Sequence, residues 1–230
     1  WPARAGRGRT LFLALRLLSW PNHRIMLLAL DTATPACTAA LFDAEGQLIA
    51  RIDEVMARGH AEQLMPLLDQ LLGGRRADEI LVGCGPGSFT GLRVGIAAAH
   101  GLAIGWGVPL HGLSTPALIA AALPGEGPVA VALTGGHGEL FVQQYERRPL
   151  EPLAPLAPVV SLSPAAAAAA IDAPLVAGSG AAALVAARGY GEALEALPSA
   201  ASALMLPEPL RRLAPRPIYA RAPDAKPKAA

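Results

Sequence analysis

Residues 83–107, GCGPGSFTGLRVGIAAAHGLAIGWG, constrain the fold of this chain more than any other stretch. They begin as a glycine-rich loop and continue as a segment that would be apolar on every side of a helix. Ser88 and Thr90 lie where a helix N-cap belongs, so the loop amides would converge on the positive helix end, a geometry that can hold an anion. A helix that is apolar all round must be covered on all sides. The loop therefore predicts a tight strand-to-helix turn, and the helix raises the question of what covers it.

Short apolar runs alternate with helical periodicity along the rest of the chain, which is typical of an α/β protein. The predicted strands cover residues 26–30, 37–42, 47–52, 80–84, 108–113, 129–133, 139–145 and 174–177, with a short one near 217–220. The predicted helices cover residues 60–72, 92–106, 115–123 and 165–171, with a further one ending at 188. A Pro/Gly cluster at 123–128 marks a break. We therefore expect a first α/β lobe over 26–113 and a second over 114–230 that ends in a basic, proline-rich tail.

Residues 1–25 are expected to lie outside this fold. They contain an apolar run, 10–20, behind an arginine-rich start, but Arg16 interrupts the run and no small-x-small cleavage site follows it. The run is also too short to span a bilayer, so we expect no membrane association. We interpret these residues as an N-terminal extension that is non-native or disordered, with natural initiation at Met26.

The charges are distributed unevenly. Residues 1–25 carry five arginines and no acidic residue, and residues 211–230 carry six basic residues and one acidic residue. The middle of the chain is therefore acidic and is a poor surface for a polyanion such as RNA. The two cysteines, Cys37 and Cys84, are far apart in apolar strand-like runs, so we expect buried free thiols in a reducing, cytoplasmic setting.

Asp31 is the one acidic residue in a position that suggests chemistry, at the carboxyl end of an inner strand. It could hold a metal–nucleotide complex, or it could cap its own turn, which is the commoner role. The loop at 85–91 does not match a P-loop or a Gly-x-Gly-x-x-Gly pattern. As candidate cofactor-binding residues we take the aspartate and the polar and glycine positions of the loop: Asp31, Gly85, Gly87, Ser88 and Thr90.

Catalysis and metal binding are not visible in the residues. The five histidines show no zinc-helix spacing, and no nucleophile, histidine and acid cluster in a way that indicates a protease. We therefore predict neither a catalytic residue nor a metal site on this chain.

Several segments resemble the bacterial TsaB (YeaZ) family, which is classed with the Gcp-like or glycoprotease-like proteins. The resemblance rests on MLLALDTATPACTAALFD at 26–43, on the segment at 58–72 and above all on GCGPGSFTGLRVGIAAAHGLAIGWGVPLHGLST at 83–115. It continues more faintly through 130–145 and 217–221. The resemblance implies a two-lobed, actin-like ATPase fold (ASKHA, ribonuclease H-like) with mixed sheets flanked by helices.

The same resemblance implies a non-catalytic dimerisation subunit of the tRNA threonylcarbamoyladenosine machinery. Its partners would be a TsaD-like catalytic paralogue and a TsaE-like ATPase, with tRNA reached only through the complex. ATP and a metal ion would belong to these partners, and no cofactor is expected on this chain. Two departures from the active pattern put nucleotide binding further in doubt: Ala33 replaces a glycine, and Thr134 replaces the usual aspartate.

In the family, paired helices of the first lobe form the subunit interface. Carried over, these are the helices at 60–72 and 92–106, and we take their apolar positions as candidate interface residues: Leu64, Leu68, Leu71, Leu92, Gly95, Ala99 and Leu102. The same helices could pair in a homodimer when the partner is absent, or could simply pack on each other. The alternative function is a stand-alone, actin-like ATP-dependent transferase or kinase.

Overall fold

The computed structural model describes residues 26–56 and 59–220, which form two mixed β-sheets flanked by helices. The strands are β1 Leu27–Asp31, β2 Ala36–Phe42, β3 Leu48–Val55, β4 Glu79–Gly83, β5 Leu110–Leu113, β6 Val129–Thr134, β7 Leu140–Glu146, β8 Ala154–Pro155, β9 Val160–Leu162, β10 Leu175–Ala177 and β11 Glu192–Leu194. The helices are α1 His60–Leu72, α2 Phe89–Trp106, α3 Thr115–Ala122, α4 Pro164–Ala170, α5 Ala181–Arg188 and α6 Glu208–Arg211, with 3-10 segments at Gly136–Gly138 and Ala200–Met205. The predicted α/β class with two mixed sheets is confirmed.

The first sheet has the strand order β3-β2-β1-β4-β5. Strand β1 pairs antiparallel with β2 and parallel with β4, and every residue of these three strands is buried. Because successive strand residues point to opposite faces, Leu28 and Leu30 contact the cluster under α1 and α2, whereas Leu27 and Ala29 point to the other side. The sheet is thus covered on both faces.

The second sheet has the order β11-β10-β6-β7-β8, with β9 also paired to β7. Helices α4 and α5 cover its outer face, where Ala130 and Ala132 of β6 join their cluster. The alternate residues of β6, among them Val129 and Val131, face inward to the first lobe.

Helix α3 and the 3-10 segment Ala200–Met205 lie between the two sheets, and their residues join inward-facing residues of both sheets in one continuous core. The chain returns to the first lobe after β11. The Ala200 amide donates to Thr38 Oγ1 at 2.8 Å, and Leu213 exchanges two backbone hydrogen bonds with Gly112. The range 114–230, which the sequence assigns to a second lobe, therefore contains a segment that packs on the first.

Two features differ from the sequence-based expectations. No strand forms near 217–220; there the Ile218 amide makes a single hydrogen bond to the Cys84 carbonyl. The short elements β9, β11, α6 and Ala200–Met205 were not predicted, because they lack a clear apolar period. The buried, free state of Cys37 and Cys84 is confirmed. The expectations for residues 1–25 and for the end of the tail, 221–230, lie outside the described residues.

Within the described ranges, no helix combines the length and the apolar character that crossing a membrane requires.

Candidate functional site

A cleft of about 550 Å³ opens between the two lobes. Its walls come from the turn after β1, the glycine-rich loop before α2, the turn after β6 and residues 218–220. Of the residues that the structure describes, those lining the cleft include three with aromatic rings, Phe89, Phe141 and Tyr219, and no lysine or arginine. Its size suits a small molecule, and the described part of its wall offers a phosphate neither a lysine nor an arginine.

Asp31 lies behind the cleft and is fully buried. Its Oδ1 accepts the Ala33 amide at 2.8 Å, and its Oδ2 accepts the Thr115 hydroxyl at 2.5 Å. The same hydroxyl oxygen accepts the Gly85 amide at 3.1 Å. Burial raises the pKa of Asp31 to about 6, and the two hydrogen bonds it accepts partly offset this rise. The carboxylate therefore ties together the β1 turn, the glycine-rich loop and the start of α3.

The glycines of the loop and helix permit this close packing. A Cβ at Gly83 would lie 2.0 Å from Asp31 Oδ2, and one at Gly87 would lie 2.0 Å from the Ala33 carbonyl oxygen. A Cβ at Gly91 would lie 2.0 Å from the Thr32 carbonyl oxygen. These positions are restricted to glycine because the turn after β1 lies directly against the loop and α2.

The five candidate cofactor-binding residues do not form one lining. Gly87 and Ser88 line the cleft, while Asp31 and Gly85 are buried behind it. Thr90 is exposed in the first turn of α2 and is not part of the cleft wall. Ser88 is the N-cap of α2, where its Oγ accepts the Gly91 amide at 3.3 Å, and its own amide donates to the Ala33 carbonyl at 2.7 Å. Part of the predicted anion cradle is thus occupied by contacts within the chain.

Among residues 26–56 and 59–220, no three His, Cys, Asp or Glu side chains lie close enough together to hold a metal ion. Arg93, which could meet an anion one turn into α2, instead stacks its guanidinium on the Phe89 ring at 3.7 Å. His60 contacts the Thr34 carbonyl oxygen at 3.1 Å, which joins the start of α1 to the β1 turn.

The candidate interface residues are, with one exception, buried inside the chain. These buried positions are Leu64, Leu68, Leu71, Leu92, Gly95 and Ala99. Both helices lie on the same face of the first sheet, so their most regular apolar stripe faces the strands and each other. These six residues therefore present no exposed surface of their own. The exception, Leu102, is half-buried beside Met65 and Trp106 in a groove of about 230 Å³.

The solvent-facing side of α2 is nevertheless apolar, and most of its residues are small. It contains Ala97, Gly101, Ile104 and Gly105, all exposed. The Ile104 side chain is 80% exposed, and a Cβ at either glycine would meet nothing within 4 Å. Met65 of α1 is 47% exposed at the adjoining groove. We call Met65, Ala97, Gly101, Ile104 and Gly105 the outer face.

The sequence did not indicate two residues, Thr115 and Thr32, whose contacts hold the site together. Thr115 holds Asp31, and Thr32 lies against both Gly91 and Gly95. Neither has a local signal, because each acts across a long sequence separation. The outer face did have a signal in the sequence, because Gly101 and Gly105 repeat the Gly-x-x-x-Gly spacing of Gly91 and Gly95.

The chain is similar to proteins of tRNA modification. A family model described as TsaD, tRNA N6-adenosine threonylcarbamoyltransferase, matches residues 52–150. The tRNA threonylcarbamoyladenosine biosynthesis protein TsaB of Escherichia coli is 36% identical over 129 residues, which cover 53% of this chain and 55% of that protein. Its counterpart in Haemophilus influenzae is 36% identical over 133 residues, covering 54% and 56%. The alignments thus span about half the length of these curated relatives.

A solved structure matches over nearly its whole length. The structure described as YeaZ from Pseudomonas aeruginosa is 30% identical, with a TM-score of 0.70, and the match covers 85% of this chain and 99% of that one. A second solved structure, described as similar to peptidase YEAZ from the same organism, gives a TM-score of 0.68 at 30% identity and covers 77% and 88%. The two-lobed fold is therefore the actin-like one that the resemblance implied, and this chain belongs to the TsaB (YeaZ) family.

Proposed function

We propose that this chain is a non-catalytic scaffold in tRNA threonylcarbamoyladenosine biosynthesis, which binds and stabilises a TsaD-like catalytic paralogue through the outer face. The pathway is inferred from two relatives that are named as tRNA threonylcarbamoyladenosine biosynthesis proteins. The paralogue would transfer the threonylcarbamoyl group to the adenosine next to the tRNA anticodon. A TsaE-like ATPase would complete the assembly, with ATP and a metal ion on the partners, and tRNA would be contacted through the complex in the cytoplasm.

The observation that carries this proposal is the exposed apolar surface of α2. Burying a fully exposed isoleucine contributes about 1.5–3 kcal/mol, and Ile104 is 80% exposed. The open glycines on the same face allow the backbone of another helix to approach closely. A second copy of this chain could occupy the same face when the paralogue is absent.

The test compares two exposed aliphatic residues. Ile104→Arg should weaken binding of the purified TsaD-like paralogue at least about tenfold, because it places a charge in the centre of an apolar interface. Leu150→Arg is the matched control, since Leu150 is 81% exposed but belongs to the second lobe. Binding is measured by isothermal titration calorimetry, and thermal unfolding checks that both variants fold.

Equal affinities for the two variants would overturn the assignment of the outer face. No binding by the unmodified chain would overturn the scaffold role itself. Sedimentation of each variant alone separates loss of a homodimer from loss of the heterodimer.

The alternative, a stand-alone transferase or kinase, would use the interlobe cleft. It receives less support, because the described residues that line the cleft include no lysine, arginine or acidic side chain. Asp31, which such an enzyme would need at the metal–nucleotide complex, instead accepts internal hydrogen bonds from the Ala33 amide and the Thr115 hydroxyl.

A further inference from the structure

The segment at residues 213–220, which we call the strap, follows α6 along the edge of the first sheet into the cleft. Leu213 exchanges backbone hydrogen bonds of 2.8 and 2.9 Å with Gly112 of the edge strand β5. Further on, the Ile218 amide donates to the Cys84 carbonyl at 2.8 Å. Between these anchors His100 Nε2 of α2 lies 3.4 Å from the Pro215 carbonyl oxygen.

The strap is held less firmly than the helix before it. Leu210 and Arg211 of α6 are buried, and the Leu210 carbonyl accepts the Ser114 amide at 3.0 Å. By contrast, every strap residue is half-buried or exposed, and apart from the single β-bridge between Leu213 and Gly112 the strap has no regular secondary structure. Segments with few buried contacts and few hydrogen bonds open at a lower free energy than the core. Arg212, at the boundary between the two, is still held to α6 by its backbone hydrogen bond and its ion pair with Glu208.

The end of the strap forms part of the cleft wall. Ile218, Tyr219 and residue 220 line the cleft together with Gly87 and Ser88 of the glycine-rich loop. Tyr219 is 61% exposed there, so its ring is supported by few neighbours. Displacing the strap would widen the cleft on the side of the loop.

We propose that the strap is a gate of the interlobe cleft. It detaches from the first sheet as a unit while both sheets remain folded, and its release widens the cleft beside the glycine-rich loop. The proposal does not depend on the outer face or on the identity of the partner, so it can fail while the proposed function stands.

The two native cysteines report this motion. Cys84 lies under the strap, with its Sγ 3.6 Å from the Ala214 carbonyl oxygen, whereas Cys37 lies in the cluster under α1 and α2. Burial raises the pKa of both thiols to about 11, so their difference in labelling rate reports access and not acidity. Opening of the strap exposes Cys84 alone.

The experiment is alkylation of the full chain with iodoacetamide under native conditions, followed by mass spectrometry of each cysteine peptide. Cys84 should be labelled at least about tenfold faster than Cys37. Ile218→Pro removes the hydrogen bond to the Cys84 carbonyl and should accelerate Cys84 about 2- to 10-fold, without changing Cys37. His100→Ala, at an exposed position, should give a smaller acceleration, and Gln70→Ala on the exposed side of α1 should give none.

A second measurement addresses the cleft itself. Binding of the apolar dye 1-anilinonaphthalene-8-sulfonate should increase in Ile218→Pro and stay unchanged in Gln70→Ala. Labelling of both cysteines at one rate, in the unmodified chain and in the variants, would show that the strap opens only with global unfolding. Selective Cys84 labelling without added dye binding would show that the strap opens but does not gate the cleft.

Discussion

At the scale of single residues, Asp31 contributes to the fold through internal hydrogen bonds. Its position at the end of β1 suggested either a metal–nucleotide ligand or a turn cap. Its hydrogen bonds with Ala33 and Thr115 are those of a cap, extended to a neighbouring element. The two hydrogen bonds stabilise the charged carboxylate, but its burial destabilises the charged form more, so the pKa of Asp31 is raised to about 6.

The raised pKa predicts a pH-dependent stability. The folded-state pKa of about 6 lies above the ordinary value of 3.8, so the folded state binds the proton of Asp31 more tightly than the unfolded state does. This tighter binding stabilises the folded chain at low pH, and the stabilisation is lost as the pH rises from about 4 through about 6. A shift of this size corresponds to about 3 kcal/mol. The Asp31→Asn variant has no titrating carboxyl at this position. As the pH rises over this range, the free energy of unfolding of the unmodified chain should therefore decrease by up to about 3 kcal/mol more than that of the variant.

Urea unfolding of both proteins between pH 4 and pH 8 measures this difference, and the comparison cancels the other titrating groups. A difference between the two proteins that stays constant across these pH values would show that Asp31 does not titrate in the folded chain near pH 6.

At the scale of elements, α2 has two faces that share the same Gly-x-x-x-Gly spacing in the sequence but differ in what covers them. Gly91 and Gly95 lie against Thr32, whose hydroxyl donates to the Gly91 carbonyl at 2.7 Å, whereas Gly101 and Gly105 lie in open space. The first spacing packs the helix against the β1 turn, and the second leaves a surface uncovered.

This contrast shows what the sequence could predict and where it failed. The N-cap at Ser88 and the stop at Gly107 are local signals, so the helix and its tight entry were predictable. Which glycine pair faces inward was not, because the deciding neighbour, Thr32, is 59 residues away from Gly91. For the same reason the sequence does not reveal that the apolar stripe of α1 and α2 faces the sheet.

Two glycine-to-alanine substitutions in α2 should change stability in opposite directions. Gly91→Ala places a Cβ 2.0 Å from the Thr32 carbonyl oxygen, and the required backbone shift should lower the free energy of unfolding by about 1–3 kcal/mol. Gly101→Ala meets nothing within 4 Å and should raise it by about 0.5–1 kcal/mol, because alanine loses less backbone entropy in a helix. Chemical denaturation of the two variants measures both effects, and changes of the same sign would contradict the two-faced description of α2.

At the scale of the whole molecule, the two lobes share one core. Inward-facing residues of both sheets meet α3 and the segment Ala200–Met205, which returns from the second lobe to the first. The Pro/Gly cluster at 123–128 precedes β6, which belongs to the second sheet, but no periodic pattern in the sequence indicates the return to the first lobe. Such a segment is short and is held by contacts distant in sequence, which local patterns do not encode.

This common core predicts that the described lobes unfold together. Leu118 of α3 lies in the shared core and Leu184 of α5 in the outer cluster of the second lobe, and both are fully buried. Leu118→Ala and Leu184→Ala should each lower the free energy of unfolding by about 2–5 kcal/mol. Hydrogen exchange followed by mass spectrometry in urea should show that each substitution lowers the midpoint equally for peptides of β1–β4 and of β6–β10. Leu150→Ala, at an exposed position, should leave both midpoints unchanged. If Leu184→Ala lowered the midpoint of the second-lobe peptides alone, the lobes would be separate folding units that are merely in contact.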